Sequence, residues 1–320
     1  MKKLSRSLVA LAAAGALVVL AAPVAYAGVL GGHHPSEPAV DLGEVVSTAL
    51  HSDATYWTPQ RMRKAKPADV LARRAYDRQR KAGLLGGVGD LVGTPFSLPS
   101  TKAAAPGIAP VAHVGKVFFT FGGVDYVCSG NSVSSRNHDV VATAGHCVNE
   151  GPGAYASHWT FVPGYDDGSA PYGKWTARRL VTTSQWAKKG DLNFDTGFAV
   201  LATRSGRHIG TVVGGSGVAF NQPKGQTYTL YGYPADSPFD GEKLQKCTGK
   251  AVKDSYGSAD QGVTCDMTGG SSGGPWLVGS GSRGTQQSVN SFGYDSDPDR
   301  MYGPYWGSAI QGSYNSASAG

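Results

Sequence analysis

Four glycines flank two serines in the run Thr268-Gly269-Gly270-Ser271-Ser272-Gly273-Gly274-Pro275-Trp276, which stands between two short apolar stretches. Glycine permits unusual backbone angles and lets a second chain approach closely, so a serine hydroxyl here could be presented as a nucleophile. The same cluster could equally be a plain turn between strands, and the decision depends on what base the chain offers. Its eight histidines are His33, His34, His51, His113, His138, His146, His158 and His208, and every one precedes Ser272. Although Gly270-Ser271-Ser272-Gly273-Gly274 fits a G-x-S-x-G pattern, that order excludes the α/β-hydrolase arrangement, whose histidine follows its serine. His146 closes the apolar run Val140-Val141-Ala142-Thr143-Ala144-Gly145 and is followed by Cys147. A strand end clamped by a cross-link can hold an imidazole still, as a general base requires. Asp195, which leads directly into Thr196-Gly197-Phe198-Ala199-Val200-Leu201, is the better carboxylate to orient that imidazole, with Asp191 as the alternative.

These residues need a frame. The chain has 320 residues and a net charge of +6. Lys2, Lys3 and Arg6, the apolar run Leu8–Ala22 and Ala25-Tyr26-Ala27 read as a signal peptide over 1–27. The run is too short for a spanning helix, which needs roughly 20 residues, so an extracellular protein with no membrane partner is expected. Residues 1–106 carry 13 Lys/Arg against 7 Asp/Glu, and residues 107–320 carry 16 of each. The second part therefore has no basic excess with which to bind nucleic acid. All four cysteines, Cys128, Cys147, Cys247 and Cys265, lie in that part. An even number in an exported chain implies disulfides. Of the three connectivities we favour Cys128–Cys147 and Cys247–Cys265, each closing a short loop; spacings of this kind do not suggest a metal.

Residues 28–106 read as a pro-segment and linker without cysteine. One helix is expected between Pro67 and Gly83, with a thin apolar face of Val70, Leu71, Ala75 and Tyr76 among many arginines. Together with Arg61-Met62-Arg63-Lys64, this could be a binding patch, but a solvated segment that is later removed is the preferred reading. A Gly/Pro/Ala-rich linker, Gly83–Pro110, offers the place for a cut. From about residue 111, some ten short strands separated by Gly, Pro, Asn and Asp indicate an all-β barrel or sandwich. A short helix is expected near Ser308–Tyr314. Asp295-Ser296-Asp297-Pro298-Asp299 lacks the glycine and glutamate of an EF-hand and reads as a solvated loop.

Thr143-Ala144-Gly145-His146-Cys147, Asp195 before Gly-Phe-Ala-Val-Leu, and Gly270-Ser271-Ser272-Gly273-Gly274-Pro275 resemble, in order, the three motifs of chymotrypsin-like (trypsin-like) serine proteases. Phe161-Val162-Pro163-Gly164-Tyr165 and Thr268–Ser272 are similar to the secreted bacterial branch related to glutamyl endopeptidases. Over 107–320 the resemblance implies a double six-stranded β-barrel and a serine endopeptidase acting on proteins or peptides as a monomer, without a cofactor or metal. It also implies a triad of His146, Asp195 and Ser272, with the N–H groups of Gly270 and Ser272 binding the oxyanion. Losing such a donor costs roughly 3–4 kcal/mol in the transition state. A non-catalytic protease-like binding module is the alternative, but it commonly lacks one of the three residues. A subtilisin-type order using Asp125 or Asp139 is disfavoured by the all-β texture. Two positions depart from the family. Ser271 replaces the aspartate that pairs with a newly freed N-terminus in digestive relatives. Asp266, six residues before Ser272, stands where a basic-specific carboxylate would, yet the neighbouring half-cystine is missing. Ser291, Phe292 and Gly293 resemble the opposite pocket wall, and Asn290 occupies a position that is usually histidine in glutamate-specific relatives.

Overall fold

The computed structural model describes residues 55–81 and 105–320; the expected signal peptide and most of the linker fall outside them. The first described stretch forms α1 (Pro59–Lys64), β1 (Lys66–Pro67) and α2 (Asp69–Lys81). The helix α2 starts two residues later than its proline suggested, because Lys66-Pro67 pairs in parallel with Tyr126-Val127. Its face is not solvated. Leu71, Ala72, Ala75 and Tyr76 are buried against the β structure, whereas Val70 is exposed. Trp57 is also fully buried, packing on Phe118 and donating its indole N–H to the His158 carbonyl.

The next six strands are β2 (Val114–Phe121), β3 (Val124–Ser132), β4 (Val140–Thr143), β5 (Ser157–Pro163), β6 (Trp175–Thr182) and β7 (Gly197–Leu201), with the short helix α3 (Ser184–Lys189) before β7. They pair in the order β3-β2-β5-β6-β7-β4, and β4 returns to β3, closing a six-stranded barrel. Gly122 and Gly123, both at positive φ, make the two-residue turn joining β2 to β3, as the right-handed twist of a hairpin demands. Alternation along β2 explains why every residue in it is buried. Val117, Phe119 and Phe121 fill the barrel with Trp159, Phe161 and Leu201. Val114 and Phe118 face outward, under Trp57 on one side and Tyr231 and Leu277 on the other.

After α4 (Ile209–Val213) the second half comprises β8 (Gly217–Val218), β9 (Thr227–Gly232), β10 (Gln245–Lys250), β11 (Val252–Lys253), β12 (Gln261–Thr264), β13 (Pro275–Val278), β14 (Thr285–Val289), β15 (Phe292–Tyr294) and β16 (Asp297–Gly303). A C-terminal helix α5 (Ser308–Ala319) follows, longer than expected. One sheet is β10-β9-β13-β14-β8 and the other β11-β12-β16-β15. The chain passes from the first to the second through Ala251 and again through Asn290-Ser291. With β10/β11 and β14/β15 each taken as one bent strand, the pairing runs round six strands, the second barrel of the double-barrel fold. Its core holds Leu230, Val263, Met267, Trp276 and Met301.

The strand expected over Ser288–Tyr294 is thus broken at the residues that turn the corner. The two longest strands that escaped the sequence reading are β10 and β16. Gln245–Lys250 is mostly polar with a single fully buried residue, and β16 begins inside the acidic run. Asp297 there accepts from Arg300 Nε at 2.8 Å and Tyr302 Oη at 2.9 Å, so the loop reading holds only up to Ser296. Among the described residues, no helix is long and apolar enough to cross a membrane.

Both disulfides have the favoured pairing. Cys247–Cys265 ties β10 to the end of β12, across the two sheets of the second barrel. Replacing both cysteines by alanine should lower stability by about 3 kcal/mol, given the loop they close, and a chemical denaturation midpoint measures the loss.

Candidate active site

β4 ends in a single tight turn, Gly145–Cys147, and the Cys128–Cys147 bridge fastens that turn to β3. His146 is thereby held by covalent structure on its C-terminal side and by the barrel wall on the other. A second tight turn, Leu192–Phe194, leads into β7 and delivers Asp195 opposite it. The His146 backbone N–H donates to Asp195 Oδ1 at 2.7 Å, and Nδ1 lies 2.7 Å from Oδ2. Asp191 instead caps its own turn by accepting from the Asn193 N–H. Both members of the pair are fully buried. A third donor reaches Asp195 from the second barrel: the Ser291 hydroxyl, at 2.5 Å from Oδ2. Hydrogen bonds to a charged group contribute about 1.5–3 kcal/mol each, and together they fix the position of this carboxylate.

Ser272 sits in the loop between β12 and β13, wedged between the barrels. Its carbonyl accepts from the Ser129 N–H at 2.7 Å, and the Gly273 N–H donates to the Asn290 carbonyl at 2.7 Å. The Asn290 side chain donates to the carbonyls of Tyr231 and Ser271 and accepts from Trp276 Nε1. Asn290 is therefore a buried brace for the loop, not a wall of a binding pocket. Ser271 turns its hydroxyl back to the Thr268 carbonyl at 2.8 Å. Gly273 is at positive φ, and a Cβ there would overlap Thr143 Oγ1 and the Ser129 carbonyl. Among the described residues, no backbone acceptor meets the N–H groups of Gly270 and Ser272. Two free donors beside a serine and an imidazole can stabilise an oxyanion, and the set as a whole can perform nucleophilic acyl transfer.

The sequence placed Thr143 and Asn290 inside motif segments but assigned neither of them, nor Ser129, a supporting role. That role arises from contacts between barrels. Asp69, also unforeseen, is the first residue of α2, and its carboxyl lies against the α-carbon of Gly269. Burial, followed by the neighbouring charge of Asp236, pushes its pKa up to about 6. His146 Nε2 is buried and makes no hydrogen bond. The N-terminal segment thus lies over the site, and the histidine has not engaged the serine.

A small pocket opens beside Ser272. Met267, Thr268, Ser291, Phe292, Gly293 and Met301 line it together with Asp69. Ser291, Phe292 and Gly293 meet at this one pocket. Asp266 is not among its lining residues. It borders a separate surface hollow with Cys247, Thr264 and Asp299.

Among the described residues, the only close group of potential metal ligands is Cys128, His146 and Cys147. Both sulfurs are consumed in a disulfide and the imidazole is bonded to Asp195, so these residues do not fit a metal ion.

Comparison with known proteins bears on the same residues. The profile of the trypsin-like peptidase domain matches residues 128–283. The crystal structure of protease Anisep from Arthrobacter nicotinovorans is 56% identical, with a TM-score of 0.66, over 67% of this chain and 99% of that one. The thermostable serine protease AL20, from an extremophilic microorganism, is 50% identical with a TM-score of 0.64, over 65% of this chain and 98% of that one. A curated relative, named an extracellular metalloprotease of Bacillus subtilis, is 32% identical over 114 residues, or 36% of this chain. The match spans only 35% of that relative's length.

Gly273→Ala should destabilise the protein by roughly 2–4 kcal/mol, because backbone and barrel wall must both shift. Gly122→Ala, at a positive φ with open space around it, should cost only about 1 kcal/mol. Denaturant titration of the two variants side by side measures the difference.

Proposed function

Since this chain belongs to the trypsin-like peptidase family, we propose that it is a secreted serine endopeptidase acting through His146, Asp195 and Ser272. The observation that carries this reading is the His146–Asp195 pair, buried and bonded at 2.7 Å at two points, with the serine loop docked on the same barrel end. Ser272 Oγ attacks the carbonyl carbon of the scissile peptide bond while His146 Nε2 takes its proton. Asp195 holds the Nδ1 proton, fixes the tautomer and stabilises the imidazolium. The N–H groups of Gly270 and Ser272 receive the negative oxygen of the tetrahedral intermediate. Collapse breaks the C–N bond, His146 returns the proton to the leaving amine, and the acyl group stays on Ser272. Water, deprotonated by the same base, then releases the acid and restores the serine.

The reading extends to maturation. Residues 1–27 act as the export signal and 28–106 as a pro-segment, so the chain is a zymogen. The buried imidazole and the position of Asp69 over the nucleophile loop support this; with Ser271 where digestive relatives carry an aspartate, activation proceeds without an ion pair to a freed N-terminus. A cut in the linker after residue 81 does not by itself remove contacts such as the β1–β3 pairing and the buried Trp57, so full activity requires release of the docked piece. Proteins and peptides are the substrates, and the enzyme works as a monomer.

A serine-directed phosphonylating reagent should label the processed, secreted protein at Ser272. Ser272→Ala should abolish labelling and His146→Ala should reduce it at least about 1,000-fold; a processed protein that neither labels nor cleaves any peptide would sink the proposal. A peptide spanning 55–81 should inhibit the processed enzyme more strongly as pH falls. Asp69, with its docked pKa near 6 against 3.8 when free, gains a proton on docking between those values, and above them the effect vanishes. Inhibition constants at pH 4.5 and 7.5 for this peptide, compared with Asp69→Asn, measure the slope, which the variant should flatten.

A further inference from the structure

We infer that the pocket beside Ser272 receives an uncharged, apolar side chain from the residue preceding the scissile bond. This rests on the endopeptidase reading and supplies the substrate class which that reading leaves open. The first argument is the direction of Asp266. From β12 onward burial alternates: Val263 in, Thr264 out, Cys265 in, Asp266 partly out, Met267 in. Cys265 is pinned inward by its bond to Cys247 and by its N–H, which donates to the Asp299 carbonyl at 2.8 Å. With side chains of an extended segment pointing alternately to opposite faces, the disulfide fixes Met267 toward the pocket and Asp266 toward the outer hollow. The carboxylate that would attract arginine or lysine is consequently absent from the pocket wall.

The second argument is what remains in the pocket. Met267 and Met301, both nearly fully buried, and Phe292, which stacks on Tyr302 at 5.5 Å, supply the apolar part of the lining. Its polar atoms are already engaged: the Ser291 hydroxyl binds Asp195, and the Ser271 hydroxyl binds the Thr268 carbonyl. No lysine, arginine or histidine lines the pocket, so a glutamate side chain would enter without a countercharge. The only charged lining group is Asp69, which leaves with the pro-segment. Its own carboxyl is already penalised by burial. Asn290, occupied as a brace, offers nothing to a substrate. Methionine side chains adapt to different shapes, which favours leucine, methionine and phenylalanine together over a single residue type.

The test uses the processed, secreted enzyme and a fluorogenic peptide series with identical flanks, varied only before the cut as Leu, Met, Phe, Lys, Arg and Glu. The expected result is a kcat/KM for the three apolar peptides at least roughly 100-fold above the three charged ones. Met301→Glu should shift the ratio toward Lys and Arg by at least about 10-fold. Equal or better cleavage after Arg, Lys or Glu, lost in Ser272→Ala, would overturn the pocket assignment and leave the endopeptidase reading standing. A basic preference that disappears in Asp236→Asn, whose carboxylate lies against Gly269 of the pocket lining, would overturn it in the same way. Cleavage of none of the six, with no labelling of Ser272, would overturn both readings.

Discussion

A fully buried carboxylate with three donors holds this structure together at its functional end. Asp195 takes two bonds from His146 in the first barrel and one from Ser291 in the second. An ionised carboxylate removed from water without partners would be strongly destabilising, so the two barrels must meet in the register that satisfies it. That requirement turns a local charge into a constraint on domain packing. It also explains why the strand that could have run from Thr285 to Tyr294 bends at Asn290-Ser291. One residue of the corner braces the serine loop, and the next reaches across to Asp195.

The serine loop answers a complementary constraint of space. Between the barrels there is no room for side chains at Gly273 or Gly274, whose hypothetical Cβ atoms would overlap Ser129 and Tyr231 backbone atoms. Glycine at these positions lets Ser129, Asn290 and Tyr231 grip the loop through main-chain groups. Fixed backbone donors cost no reorganisation when charge develops on a substrate oxygen. The same tightness excludes large excursions of Ser272.

The N-terminal segment occupies the remaining side of the site. Its arginines contact the β structure, Arg61 with Asp125 at 3.1 Å and Arg73 with Asp295 at 3.2 Å. Exposed pairs of this kind contribute little individually. The apolar face of α2 and Trp57 carry most of the docking, through removal of apolar surface from water. The surface by which this segment binds the rest of the chain is therefore its apolar face and not its basic patch.

Much of the site was legible before any coordinates. Histidines confined to one side of Ser272 fixed the order of the residues, and His146 beside a half-cystine and Asp195 at the head of a strand singled out the pair. Short strands with glycine-rich turns indicated the all-β architecture, and the cysteine spacing indicated the disulfides. These are local signals, carried by residue type and near neighbours along the chain. The tertiary structure alone decided what depends on distant segments meeting: Ser291 bonding Asp195, Asn290 acting as a brace, Asp69 lying against the serine loop, and Asp266 bordering a separate hollow. Whether a side chain faces a pocket or solvent changes with a single step of strand register. That register was set here by the Cys247–Cys265 bridge and the β12–β16 pairing, which no local pattern around Asp266 encodes.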